Sequence, residues 1–221
     1  MKKPLNLRLH RLALAFAAAI LLLATATRAG ADTPAVTIPA HVFNSVGNPT
    51  TTFGWAFTLA NPVIVTQLGF RPENIDGPTG QPYSSTQAIP IGIWDSAGIL
   101  LCMATLPAGA PGVMFDYVPL TTPTLLASGS YTIGGYTELN TDFAAVMVDS
   151  ITPAAGVTYN GGRSVVGTGL SYPAGDDLGV FFGASGYFGP NFQFIGIPEP
   201  STWTMMLGGL AMLGVVRRLL R

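Results

Sequence analysis

The sequence predicts an all-β protein, a single antiparallel β-sandwich set between two targeting segments, and three observations carry that prediction. The chain holds 27 Gly and 18 Pro in 221 residues, so about a fifth of it is turn-forming, which favours many short strands over long helices. Between Asp32 and Ile197 no stretch reads convincingly as a helix. Short alternating or β-rich runs recur there instead between turn signals, at the spacing of a sandwich.

Taken in order, the strand candidates are Ala35–Phe43, Thr51–Ala60, Val63–Phe70, Ile89–Trp94, Ile99–Leu106, Val113–Leu120, Ser130–Tyr136, Ala144–Val148, Arg163–Val166, Gly179–Phe182 and Asn191–Ile195. Asp95-Ser96-Ala97-Gly98 between two apolar runs is the clearest hairpin, with Gly98 free to take positive φ. The stretch from Asp76 to Pro82 reads as a loop, and Asn160-Gly161-Gly162 reads as a turn. No fixed-period repeat appears, which argues against a solenoid. The body, 32–197, is therefore one domain.

Charge placement says more than the net charge of −1. Eight of the ten basic residues lie at the two ends; between Asp32 and Ile197 only Arg71 and Arg163 stand against ten acids, a net −8 with no lysine. Such a body repels phosphate backbones, so nucleic acid is not an expected partner. Cys102 is the only cysteine, which excludes an intramolecular disulfide, and its apolar run from Ile99 to Ala104 predicts a buried, inert thiol. His41 is the only histidine beyond residue 31, so one chain cannot assemble a thiolate–imidazole zinc site. No nucleophile elbow, phosphate loop or dinucleotide fingerprint is present. No two of the acids stand out as a catalytic pair, so the expectation is a non-enzymatic protein without a cofactor.

The ends are membrane segments. Lys2, Lys3, Arg8 and Arg11 precede the uncharged run from Leu12 to Ala24, and Ala29-Gly30-Ala31 stands before Asp32. Basic, apolar and small-residue regions in that order make 1–31 a secretory signal peptide, which implies the Sec translocon as partner, with Ala29 and Ala31 at the −3 and −1 positions of cleavage. A second cleavage candidate lies at Ala24-Thr25-Ala26. The other end, 198–221, reads Pro198-Glu199-Pro200-Ser201-Thr202-Trp203, then an uncharged apolar run to Val216, then Arg217, Arg218 and Arg221. The 14 residues 203–216 would make a helix of about 21 Å against a hydrocarbon core of about 30 Å. Three features favour a membrane helix nonetheless. The run is apolar all round, Trp203 marks one interface, and the arginines close the other while snorkelling past Leu219 and Leu220. The arginines predict a cytoplasmic C-terminus.

Pro198 to Trp203, the short apolar helix and the arginine end together resemble the PEP-CTERM tail of Gram-negative bacteria, over Ile197–Arg221. The resemblance implies sorting by an exosortase, a membrane-embedded processing enzyme, and association with exopolysaccharide and biofilm. Pro198 and Pro200 hold Glu199 in an extended segment that such an enzyme can grip. The run from Ile91 to Leu101, with Ser130–Gly135 beyond it, also resembles a secreted bacterial β-sandwich family without assigned chemistry, which implies a jelly-roll-like fold.

The expected function is thus an exported, exosortase-sorted surface or matrix protein, anchored transiently in the membrane and touching extracellular polysaccharide or a neighbouring protein. One alternative is a carbohydrate-binding module stacking sugars on Trp55, Trp94 or Tyr187, with Tyr83, Tyr172 and Phe188 as further aromatics. Another is an ice-binding or adhesive protein, although Thr50-Thr51-Thr52 and Thr121-Thr122 follow no fixed period. Asp176-Asp177, the only acidic doublet, is a weak calcium candidate in a turn.

Overall fold

A computed structural model of the chain describes residues 32–38, 50–73, 85, 87–110, 115–138, 143–144, 151–176, 188–197, and positions 207, 208, 210 and 214. In the body these residues form strands β1 (Thr33–Pro34), β2 (Val36–Thr37), β3 (Thr51–Leu59), β4 (Val63–Phe70), β5 (Pro72–Glu73), β6 (Ile89–Asp95), β7 (Leu100–Leu106), β8 (Asp116–Leu126), β9 (Gly129–Thr137), β10 (Phe143–Ala144), β11 (Thr152–Pro153), β12 (Val157–Val166), β13 (Gly175–Asp176) and β14 (Pro190–Gly196). Every described pairing is antiparallel. A four-stranded sheet runs β1-β14-β4-β8 and a six-stranded sheet runs β13-β12-β3-β9-β6-β7, with two short pairs, β10-β5 and β11-β2.

The core lies between the two larger sheets, and alternation along the strands builds it. Ile89, Ile91 and Ile93 of β6 and Phe53, Trp55, Phe57 and Leu59 of β3 face inward and are buried. From the four-stranded sheet come Phe192 and Phe194 of β14 and Val63, Val65, Leu68 and Phe70 of β4. On β4 the inward positions change from odd to even because Thr66 is an extra residue: β14 pairs Gln193 with Gln67 but Phe194 with Val65. The aromatic centre spans both sheets. Trp55 of β3 lies 6.1 Å from Phe192 of β14 at an interplanar angle of 18°, and Phe57 lies 4.9 Å from Phe192. The Trp55 indole N–H donates to the Pro190 carbonyl at 2.8 Å, so the one polar atom of the ring is satisfied inside the core.

Two expectations change. Asn160-Gly161-Gly162 is not a turn: β12 runs on through it, with a register shift between Tyr159 and Gly162 and φ of 105° at Gly161. It is a bulge, which glycine permits by occupying positive φ. Likewise β8 does not stop at Leu120 but continues to Leu126. Its Pro119 and Pro123 read as breakers, yet among the described residues β8 is the edge of its sheet, where proline is tolerated. The Asp95 hairpin forms as expected. The Asp95 carboxylate accepts from the Ala97 and Ile99 amides, both at 2.9 Å, and Gly98 has φ of 79°.

Candidate functional site

The two ends of the body emerge side by side. Thr33 of β1 pairs with Phe194 of β14, and the Ala35 amide donates to the Phe192 carbonyl at 2.8 Å. Asp32 is clasped from its first atom onward: its carboxylate accepts from the Thr66 hydroxyl at 2.8 Å and the Gln67 amide at 3.0 Å. Gln67 also donates to the Gln193 side chain at 2.8 Å, tying β4 to β14 beneath the aspartate. The exit follows Gly196, where the Ile197 amide donates to the Pro62 carbonyl at 3.4 Å. Entry and exit are thus one strand apart, about 4.8 Å. This clasp joins positions 32, 66–67 and 193, and no local pattern in the sequence announces it.

Two of the three stacking candidates fail on burial. Trp55 is 0% exposed in the core and Trp94 is 4% exposed, so neither can lay a face on a sugar ring. Trp94 sits on the outer face of the six-stranded sheet and is covered nonetheless, for a specific reason. Gly54, Gly134 and Gly92 stand side by side on β3, β9 and β6, and their missing side chains leave a trough across the sheet. The Trp94 ring lies in it, within 3.1–3.2 Å of where Cβ atoms on Gly92 and Gly134 would stand. A strap closes over it: Tyr172 lies 6.2 Å from the Trp94 ring, Pro173 is buried against Gly134, and the Ser171 amide donates to the Thr52 hydroxyl at 3.1 Å. The sequence hid this because the glycines align only once three strands are in register. Tyr187, the third stacking candidate, lies outside the described residues.

On the other sheet an apolar groove of about 280 Å³ is lined by Pro34, Val36, Thr37, Ile38, Phe115, Tyr117 and Gln193. Asn191, fully buried, organises its floor. Its amide donates to the Val36 carbonyl and the Tyr117 hydroxyl, both at 2.9 Å, while its oxygen accepts from the Val36 and Phe192 amides. Burial raises the Tyr117 hydroxyl well above its ordinary pKa, only partly offset by Asn191.

Cys102 is half-buried on β7 rather than enclosed, yet burial pushes its thiol up to about 11 despite opposing hydrogen bonds from Thr124 and the Ile93 backbone. At neutral pH it is a protonated thiol and a poor nucleophile. The linkage has a definite sign: both groups hold their protons more tightly in the folded state, so the unfolded chain releases them first, Cys102 as pH rises through about 9 and Tyr117 through about 10. Stability is therefore unaffected by these groups below pH 8 and falls above it, by about 2 kcal/mol at pH 11 for Cys102 alone. Urea unfolding at pH 8 and pH 10.5 is expected to show this loss and Cys102→Ala to remove part of it; a loss identical in the variant would exclude the thiol as its source.

Two of the described acids have structural work. Asp32 holds the entry clasp and Asp95 the hairpin. No group of three metal-ligating residues occurs among the described residues. Asp176 contributes its backbone to β13 opposite Arg163, while its side chain and all of Asp177 lie outside the description. So do His41, Ala29, Ala31, the motif Pro198–Trp203, and Arg217, Arg218 and Arg221. Within the expected tail helix, positions 207, 208, 210 and 214 have helical backbone and are exposed. No helix among the described residues is long and apolar enough to cross a membrane.

Residues 196–221 match the family model of the PEP-CTERM protein-sorting motif. The match begins at Gly196, the last residue of β14, so fold and sorting tail meet without a spacer domain. The motif implies export and C-terminal sorting to the cell surface with processing by an exosortase. No curated protein matches the chain.

Proposed function

We propose that the chain is a non-enzymatic surface or matrix protein. It passes the Sec translocon, rests in the membrane by its C-terminal apolar run, and is cut by an exosortase to free the β-sandwich among extracellular polysaccharide. The observation that carries this reading is the position of the sorting motif at the end of the last core strand. Among the described residues, removing the tail beyond Ile197 costs the body no sheet pairing, because β14 ends at Gly196. The entry clasp supports a matching trim at the other end, since Asp32, the first of the described residues, is held by Thr66 and Gln67 of the body.

Trp55 and Trp94 are unavailable as a sugar platform, and Thr51 and Thr52 are buried, which removes them from any ice-facing array. With ten acids against two arginines in the body, neutral glycans or protein surfaces suit it better than anionic polymers. Intact mass spectrometry of protein recovered from the cell surface tests the processing. The expected mass begins at Asp32 and lacks Arg217 to Arg221. Recovery of Lys2 or Lys3 peptides would refute the first cut, and persistence of the terminal arginines would replace sorting by a permanent anchor.

A further inference from the structure

Among the described residues the two larger sheets have four edges, and three of them are blunted. β1 and β13 are two residues long. β8 carries Pro119 and Pro123, and residues 120–123 stand opposite the single residue Thr66, so its ladder is broken. Short strands, prolines and irregular ladders are the means by which sheets resist pairing with another chain. β7 is blunted least: its one irregularity is a bulge at Leu101, where Cys102 pairs with Ile93 but Leu100 with Trp94. It runs for seven residues, Leu100–Leu106, with no proline and no charge, and among the described residues pairs only with β6. Several of its side chains are open to solvent: Leu100 is 42% exposed and Met103 52%, with Ile99 at 62% beside them.

We propose that β7 is a self-association edge, through which two copies of this chain pair antiparallel about a twofold axis and continue one six-stranded sheet into the other. Charge selects the occupant. The body carries −8, yet from Ser96 to Phe115 there is not one charged residue, so this edge is where two such bodies meet without opposing carboxylates. A basic partner would gain more on the acidic surfaces elsewhere. An antiparallel strand is also its own complement, since its free donors and acceptors match those of a second copy turned by 180°. The tethered ends do not obstruct the approach: β1 and β14 lie toward the opposite side of the sandwich from β8, which packs next to β7.

Sedimentation equilibrium of the exported protein over a range of concentrations tests this. The expected result is a monomer–dimer equilibrium that strengthens with added salt, because screening relieves repulsion between the acidic bodies. Alternate β7 amides should gain hydrogen-exchange protection as concentration rises. Leu101→Lys with Met103→Lys should weaken the dimer by at least about thirtyfold, through like charges brought together at the edge. The same variant lowers the net negative charge, so a purely global charge effect would strengthen association instead. Val166→Lys, 61% exposed on β12, should leave the dimer intact, and Met103→Lys alone serves if the double variant does not fold. A monomer at every concentration, a dimer indifferent to the β7 lysines, or β7 protected only by a different protein would each overturn the proposal. None of these outcomes bears on whether the tail is cut.

Discussion

Gly54→Ala is expected to cost about 3–5 kcal/mol, a third or more of the stability of an ordinary domain, and to leave much of the protein unfolded. Gly54 sits in β3 opposite Gly134 of β9, at the centre of the six-stranded sheet. A Cβ there would run into the Ile133 carbonyl oxygen, 2.7 Å from the Ile133 carbonyl carbon and 2.8 Å from the Gly134 Cα. These are backbone atoms held in a ladder, so no rotamer change relieves the overlap; the two central strands must separate or twist. Gly196→Ala supplies the comparison, because nothing lies within 4 Å of its Cβ position and its φ is ordinary. Urea unfolding of the two variants should show a near-neutral change at 196 and a collapse of the midpoint at 54. Equal midpoints would mean that the sheet centre yields more readily than its geometry indicates.

Glu199→Ala is expected to leave export intact and to hold the protein in the membrane fraction. Insertion needs only the apolar run, whereas processing needs a recognised segment ahead of it. A charge-assisted contact is worth about 1.5–3 kcal/mol, so its loss from the cut site should slow release by about tenfold or more. Fractionation with detection of the body follows the outcome directly. Because Glu199 lies beyond β14, folding of the sandwich should be unchanged, which separates a processing defect from a stability defect. Release at the wild-type rate would show that Glu199 is not part of what the processing enzyme reads.

The fold was legible where local signals suffice. Val63–Phe70 appears with the expected bounds, Thr51–Leu59 and Ile89–Asp95 differ by a residue, and the Asp95–Gly98 hairpin closes as its residues require. Legibility ended where meaning depends on a partner strand. Pro119 and Pro123 end a strand in a sheet interior but not on an edge, and which strand is an edge is a property of topology. Gly161-Gly162 reads as a turn until β3 is laid beside it and the ladder resumes. Trp94 alternates to the outer face, opposite in sense to Ile91 and Ile93, yet is buried there. Only the row of Gly54, Gly134 and Gly92, drawn from three distant segments, shows that the ring sinks into the sheet. The sorting tail was the most readable part because its information is linear: motif, apolar run and arginines follow one another within residues 196–221.

The side-by-side entry and exit of the body also give it a mechanical polarity. A pull on the tail runs along the axis of β14 and loads its whole seven-residue ladder with β4 in shear, so the bonds must fail together. A pull at Asp32 meets β1, whose two residues can peel away from β14 with little of the core disturbed. The body thus resists tension best where the chain leaves β14 and least where it enters at Asp32.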